Sequence, residues 1–161
     1  HASARKMAGD AALGLVFVHV PVPHGPPIYD RRTGEFGDVR QSKGWYLDNL
    51  ALVDRTLAEL RQTLEEASLW ERTAILLSSD HAWPGSVSLD GKRDPRVPFL
   101  FRLPGQTRAV TYEPPFNTVL SHDLVLALLG GEFTEPEQVA RWLDEHRGTA
   151  PGGRPEGKPG R

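Results

Sequence analysis

Two short apolar runs limit what this chain can fold into, because each has the length and composition of a buried β-strand. The first run is LGLVFVHV at residues 13–20, and prolines follow it directly. The second run is TAILLSS at residues 73–79. Short runs of this kind suit strands that are covered on both faces, as in a parallel sheet. We therefore expect both runs to be strands of one sheet, with His19 buried inside the first.

The segment between the two runs has the pattern of one long amphipathic helix, over residues 42–69. Its apolar side chains step by four, three, four, three and four residues, which places them on one helix face: Tyr46, Leu50, Val53, Leu57, Leu60 and Leu64. A strand, a helix and a second strand form a βαβ unit with parallel strands. The sequence thus predicts an α/β fold, with a mostly parallel sheet flanked by helices.

Weaker patterns predict four further elements. VPFLFRL at 97–103 indicates a third strand, and TRAVTYE at 107–113 indicates a fourth. A helix is expected to start at Ser121, acting as the N-cap, and to end at Gly130. EPEQVARWLDEH predicts a last helix over residues 135–146, with a proline in its first turn.

Composition divides the chain of 161 residues into three parts. Residues 1–12 are small and polar and are interpreted as a lead-in, and 13–147 are expected to form one α/β domain. In residues 148–161, eight of 14 residues are Gly or Pro, which predicts a disordered tail. The net charge of −2 provides no general electrostatic footprint for nucleic acid, and the absence of Cys excludes disulfides and thiolate zinc sites.

No run approaches the roughly 20 apolar residues that a membrane-spanning helix requires. We expect a soluble domain whose compartment the sequence leaves open. Because the chain begins with His1 rather than Met, an upstream region that attaches it to a membrane or exports it is compatible with the sequence.

Polar residues follow both of the predicted parallel strands. His24 lies in the loop after the first strand, and Asp80 and His81 open the loop after the second. Open α/β sheets bind ligands at the carboxyl edge of their parallel strands, so we expect these residues to converge there. Carboxylate and imidazole groups are ligands for Zn²⁺ or Mn²⁺. The alternative for all three residues is structural: a capped turn at Asp80 with a solvated His81, and an idle exposed His24.

Four ordered stretches resemble the alkaline phosphatase superfamily, on the branch of sulfatases and phosphoethanolamine transferases. They are HVPVPHGPPIYDRRTG, YLDNLALVDRTLAEL, TAILLSSDHAWPG and RVPFLFRLPG, which together cover about residues 13–130. The resemblance implies an alkaline phosphatase-like fold that is incomplete at its amino terminus. It also implies a metal-dependent, sulfatase-like hydrolase of sulfate or phosphate esters.

The same resemblance implies a role for individual residues. Asp80 and His81 would bind a divalent metal ion, which is Zn, Mn, Ca or Mg. His24 would donate a hydrogen bond to the transferring group or act as acid to the leaving oxygen. A cation among Lys92, Arg93 and Arg96 would bind the anionic group of the ester, and Lys92 and Arg96 are taken as the candidates. Apart from the resemblance, Trp83 directly follows the metal pair and is expected to form a wall beside it. For Asp48 and Asn49 we expect capping and solvation rather than a part in catalysis.

Two departures from the family pattern affect this interpretation. Ala82 stands where the family has Gly, and residues 1–12 contain no match to the family's nucleophile or its first metal Asp. Both are expected upstream, in the remainder of the same chain, so we expect the 161 residues alone to be inactive. Two alternatives remain open: a phosphoethanolamine-type transferase that acts on lipid or glycan and has upstream membrane spans, and a non-catalytic binding or structural relative.

Overall fold

The computed structural model describes residues 2–37 and 44–148. Of the predicted tail, residues 149–161 therefore lie outside the described part. The chain divides after Trp70 into two compact units, which are described one at a time. Among the described residues, no helix combines the length and the apolar character needed to cross a membrane.

The first unit consists of two helices and a small hairpin. Helix α1 (Ala2–Ala8) lies in the segment expected to be a lead-in, and its Arg5 donates a hydrogen bond to Thr63 of helix α2 (Trp45–Glu66). Strands β1 (Tyr29–Asp30) and β2 (Glu35–Phe36) pair antiparallel. Gly34 has φ +75° at the end of their connecting loop, a conformation that glycine adopts without strain.

Helix α2 confirms the predicted helix, but its most buried face is not the predicted one. The buried residues are Asp48, Asn49, Leu52, Thr56 and Leu64. Leu64 alone belongs to the predicted apolar stripe, and Leu50 from that stripe is 38% exposed. The buried face therefore begins with two polar side chains, which apolar periodicity does not register.

The first predicted strand is not present. Residues 14–20 have no regular secondary structure, and Phe17 is 84% exposed. His19 is also exposed, which corrects the expectation that it is buried. A strand exists only where a neighbouring strand accepts and donates its backbone hydrogen bonds, and no strand pairs with this segment among the described residues. Half-buried and exposed residues nevertheless alternate from Val16 to Val20, with the period of a strand.

The second unit contains two of the predicted strands, and they pair antiparallel. Strand β3 (Ile75–Ser78) lies within the predicted 73–79, and β4 (Phe99–Arg102) within 97–103. Their register pairs Ile75 with Arg102 and Ser78 with Phe99. Both sheets of the described residues have two antiparallel strands, so the parallel pairing of 13–20 with 73–79 is wrong for this structure. The predicted βαβ unit is not observed, because its first strand has no partner among the described residues.

Three helices and one buried apolar cluster complete the second unit. Helix α3 (Val87–Asp90) is one turn, and α4 (Ser121–Leu129) and α5 (Pro136–His146) confirm the two predicted helices. Ser121 is the first residue of α4 and not its side-chain cap. The core lies between α4, α5 and β4 and contains Leu103, Leu120, Leu124, Ala127, Phe133, Val139, Trp142 and Leu143.

Residues 107–113 form no strand, which corrects a further prediction. This segment is tied to the core by side chains instead of a backbone ladder. The Tyr112 hydroxyl donates to Asp144 of α5 at 2.8 Å, and the ring of Tyr112 contacts that of Phe116.

Candidate metal-binding pair and histidine loop

Asp80 and His81 lie in the turn that directly follows β3, as the sequence predicts. The Ser79 hydroxyl donates to the His81 carbonyl oxygen at 2.9 Å, which closes the turn. The side chains of Asp80 and His81 are 74% and 56% exposed. The turn therefore presents a carboxylate and an imidazole to solvent side by side.

The Asp80 carboxylate and the His81 imidazole lie close to each other, and a contact to the backbone defines the tautomer of the ring. Nδ1 of His81 lies 2.9 Å from the Ala82 carbonyl oxygen, and a carbonyl can only accept, so Nδ1 carries the hydrogen. In the neutral ring, Nε2 then has the lone pair, and it lies 3.9 Å from Oδ1 of Asp80. Histidines that bind metals commonly have this second hydrogen bond to a carbonyl, which fixes the tautomer.

The separation of the two atoms can be compared with that of two ligands on one divalent cation. Tetrahedral ligands about 2.1 Å from a zinc ion lie about 3.4 Å from each other, and longer metal–oxygen bonds widen that separation. The 3.9 Å between Nε2 of His81 and Oδ1 of Asp80 is wider than the zinc value. No group of three or more His, Cys, Asp or Glu residues suited to a metal occurs in the described ranges. The pair therefore has the chemistry of part of a site.

Trp83 packs against its own turn. A Cβ atom added to Gly85 would lie 2.5 Å from the Trp83 ring, so only glycine fits beneath the indole. The contact fixes the chain that leaves the Asp80–His81 turn. Sequence reasoning placed Trp83 beside the pair, and the contact with Gly85 is an additional finding.

The two predicted anion-binding cations differ in their surroundings. Arg96 is held by Asp94 through Nε to Oδ1 at 2.9 Å and Nη2 to Oδ2 at 2.6 Å, although its side chain is 86% exposed. This contact lowers the pKa of Asp94 to about 2, chiefly through the side-chain hydrogen bond from Arg96. Lys92 is exposed, and its backbone N–H donates to Asp90. Arg96 thus has a carboxylate partner that an anionic ligand would have to compete with.

His24 lies in the first unit, in the proline-rich loop that precedes β1. Its Nδ1 is 2.8 Å from the Gly25 carbonyl oxygen, so the neutral ring has its hydrogen on Nδ1 and its lone pair on Nε2. His24 is exposed. Asp80 and His81 belong to the second unit, so the structure brings those two together and their convergence with His24 stays a prediction.

Sequence reasoning missed the role of Asp48 and Asn49. Asp48 is 7% exposed and therefore not solvated, and its carboxylate forms an ion pair with Nε of Arg31 at 3.1 Å. Asn49 is 0% exposed and hydrogen-bonded to the His24 loop. A buried amide is costly unless it is bonded, so its partners indicate what it organises. The available signal was an adjacent Asp and Asn inside a leucine-rich helix.

One comparison with known proteins matches the part of the chain that contains these candidate residues. The family model described as Sulfatase matches residues 14–130, which is more than half of the chain. No significant match is found among curated proteins or among solved structures. The matched range includes His24, the Asp80–His81 turn and both confirmed strands of the second unit.

Proposed function

This chain belongs to the sulfatase family, and we propose that it carries part of the active site of a metal-dependent hydrolase of sulfate or phosphate esters. The observation that carries the proposal is the Asp80–His81 turn. Its imidazole is locked with Nδ1 on the Ala82 carbonyl, and its Nε2 lies 3.9 Å from the Asp80 carboxylate.

Asp80 and His81 would hold one divalent cation, through a carboxylate oxygen and Nε2. When bound, that cation supplies Lewis-acid stabilisation of negative charge on the ester's non-bridging oxygens. Lys92 and Arg96 would add positive charge for the same anionic group. The identity of the cation, Zn, Mn, Ca or Mg, is left to experiment, because Asp and His oxygen and nitrogen ligands suit several of these ions.

His24 would act as acid to the leaving oxygen, and its hydrogen bond determines the form that can do so. Because Nδ1 donates to Gly25, the neutral ring has no hydrogen on Nε2. Only the imidazolium form has a proton there to give. As the ester bond breaks, the leaving oxygen takes the Nε2 proton and His24 becomes neutral. The proposal therefore requires a protonated His24 before bond cleavage.

We further propose that the nucleophile, the first metal Asp and the rest of a mostly parallel sheet come from chain upstream of residue 1. Two observations support this. The described residues contain two candidate metal ligands at the turn, fewer than a catalytic site uses. The strand-like segment 14–20 has an 84% exposed Phe17 and no paired neighbour among the described residues.

The test is hydrolysis of an aryl sulfate and an aryl phosphate by the protein translated from the complete coding sequence. Asp80→Ala and His81→Ala should each lower kcat/KM by at least about 100-fold, because a lost metal ligand costs no less than a lost supporting partner. The matched control is His122→Ala combined with Asp123→Ala. These two residues are adjacent and exposed on α4, with Nδ1 of His122 2.7 Å from Oδ1 of Asp123, and their replacement should leave the rate unchanged.

Four outcomes test the proposal and separate the alternatives. Full activity in Asp80→Ala would remove the proposed site. Transfer of the group to a lipid or glycan, in place of water, would make the protein a transferase. A full-length protein that cleaves neither ester and binds no metal would be a non-catalytic relative. Robust hydrolysis by the 161 residues alone would refute the upstream nucleophile.

A further inference from the structure

The carboxamide of Asn49 in α2 is hydrogen-bonded to four backbone groups of the His24 loop. Its Oδ1 accepts a hydrogen bond from the Ile28 backbone N–H at 3.3 Å. Its Nδ2 lies 3.3 Å from the carbonyl oxygen of Pro23, 3.1 Å from that of His24 and 3.3 Å from that of Pro26. The N–H can only donate and the carbonyls can only accept, so the surroundings fix which end of the amide is which.

The loop's carbonyls are satisfied by two side chains. Asn49 serves those of Pro23, His24 and Pro26, with its two hydrogens shared among three acceptors. The remaining carbonyl in this stretch is that of Gly25, which accepts from Nδ1 of His24 at 2.8 Å. The backbone wound around Asn49 therefore sets the direction of the Gly25 carbonyl, and that carbonyl sets the tautomer and orientation of the His24 ring.

Two neighbours of Asn49 on α2 contact the His24 loop and the chain that follows β1. A Cβ added to Gly25 would lie 3.5 Å from the Trp45 ring, so the indole packs against the loop. Asp48 binds Arg31, which follows β1. Positions 48 and 49 lie three and four residues after position 45, so both are neighbours of Trp45 on the helix surface. The first turns of α2 thus form a rigid support for the loop.

We propose that Asn49 is a positioning residue for His24, one that fixes the imidazole with Nδ1 on Gly25 and Nε2 as the proton-transferring atom. The inference rests on the proposed ester cleavage for its effect on rate, and on the loop's hydrogen bonds alone for its effect on the ring. Without the Asn49 amide hydrogens, three carbonyls must turn elsewhere, and the Gly25 carbonyl turns with them.

Asn49→Asp is the sharpest test, because it keeps the shape of the side chain and the acceptor for Ile28. It replaces the donor with an oxygen that faces three carbonyl oxygens. In the full-length protein, we expect kcat for the aryl ester to fall about 100-fold with KM little changed, since misplacement of a catalytic group has an effect of this order. The control is Thr56→Val, which removes a buried hydroxyl on the same helix that donates within α2, to Leu52. It should change kcat less than about twofold, as expected of a site that touches no reacting group.

A double-mutant cycle separates positioning from a general structural effect. If Asn49 acts through His24, Asn49→Asp should have little further effect on kcat in a His24→Ala background. If Asn49 merely supports the fold, the variant should lower kcat by the same factor in both backgrounds, which would overturn the proposal. Asn49→Ser, which is neutral and smaller, replaces Asn49→Asp in the cycle if the charged variant does not fold.

The ring itself gives a readout that needs no activity. In full-length protein labelled with ¹⁵N-histidine, the His24 signals are identified by their loss in His24→Ala. We expect the Nδ1–H tautomer in the native protein and a mixture of tautomers in Asn49→Asp. An unchanged tautomer in the variant would overturn the inference. If His24→Ala leaves hydrolysis intact, the proposed function of His24 fails, while the tautomer measurement still decides what Asn49 does.

Discussion

His24 and His81 share one local geometry although they lie in different units. Each imidazole turns Nδ1 toward the carbonyl oxygen of the next residue, at 2.8 Å to Gly25 and 2.9 Å to Ala82. Each ring is therefore committed to the tautomer that leaves Nε2 for a ligand or a proton. The dipeptides His-Gly and His-Ala give no sign of this in the sequence, because the hydrogen bond depends on the backbone conformation of the turn.

The ion pair between Asp94 and Arg96 predicts how stability depends on pH. Arg96 lowers the pKa of Asp94 from 3.8 to about 2, so the pair's contribution to stability is present above pH 3.8 and is lost as the pH falls through about 2. We expect Arg96→Gln to raise the Asp94 pKa toward 3.8, measured by the ¹³C shift of its carboxyl group. The neighbouring substitution Arg93→Gln is the control and should leave that pKa in place.

The same titration reports on the proposed anion binding. An anionic ester that engages Arg96 withdraws it from Asp94, so saturation with inorganic sulfate should raise the Asp94 pKa. A pKa that sulfate leaves unchanged would argue against Arg96 as an anion-binding residue and favour Lys92. An unchanged pKa in Arg96→Gln would contradict the assigned cause of the shift.

At the scale of elements, periodicity in the sequence predicted helices well and their buried faces less well. The spacing of Leu50, Leu57 and Leu64 correctly indicates α2, since a helical period needs no knowledge of the partner. Which face is buried depends on what packs there. The loop before β1 provides Asn49 with an N–H donor and carbonyl acceptors, and Arg31, which follows β1, forms an ion pair with Asp48. These partners allow the two polar side chains to be buried.

Strands were harder to predict than helices, because a strand is defined by its neighbour. Residues 75–78 and 99–102 were predicted correctly, since each supplies the other's backbone hydrogen bonds. Residues 13–20 have an equally apolar sequence but no such partner among the described residues. Their direction relative to β3 was inferred from a βαβ unit, and no such unit occurs among the described residues.

Helix α4 allows a matched test of the core in the second unit. Leu124 is 0% exposed, whereas Leu126, two residues along the same helix, is 55% exposed. We expect Leu124→Ala to lower the free energy of unfolding by about 2–5 kcal/mol, through lost burial and the cavity left behind. Leu126→Ala should change it by less than about 0.5 kcal/mol. Urea unfolding followed by circular dichroism measures both, and equal losses would contradict the assigned core.

At the scale of the whole molecule, the candidate residues lie in two different compact units of the chain. His24 and its Asn49 support belong to the first unit, and the Asp80–His81 turn belongs to the second. The family match runs across both units, from residue 14 to residue 130. The proposed function assigns proton transfer to His24 in the first unit and metal binding to Asp80 and His81 in the second.

The most direct test of this account is the metal content of the purified full-length protein, measured by elemental analysis. The native protein should retain a stoichiometric divalent metal ion, and Asp80→Ala combined with His81→Ala should lose it. The control variant His122→Ala with Asp123→Ala should retain it, since that pair is equally exposed but lies on α4. Metal retained at full stoichiometry by the Asp80–His81 double variant would contradict the central claim.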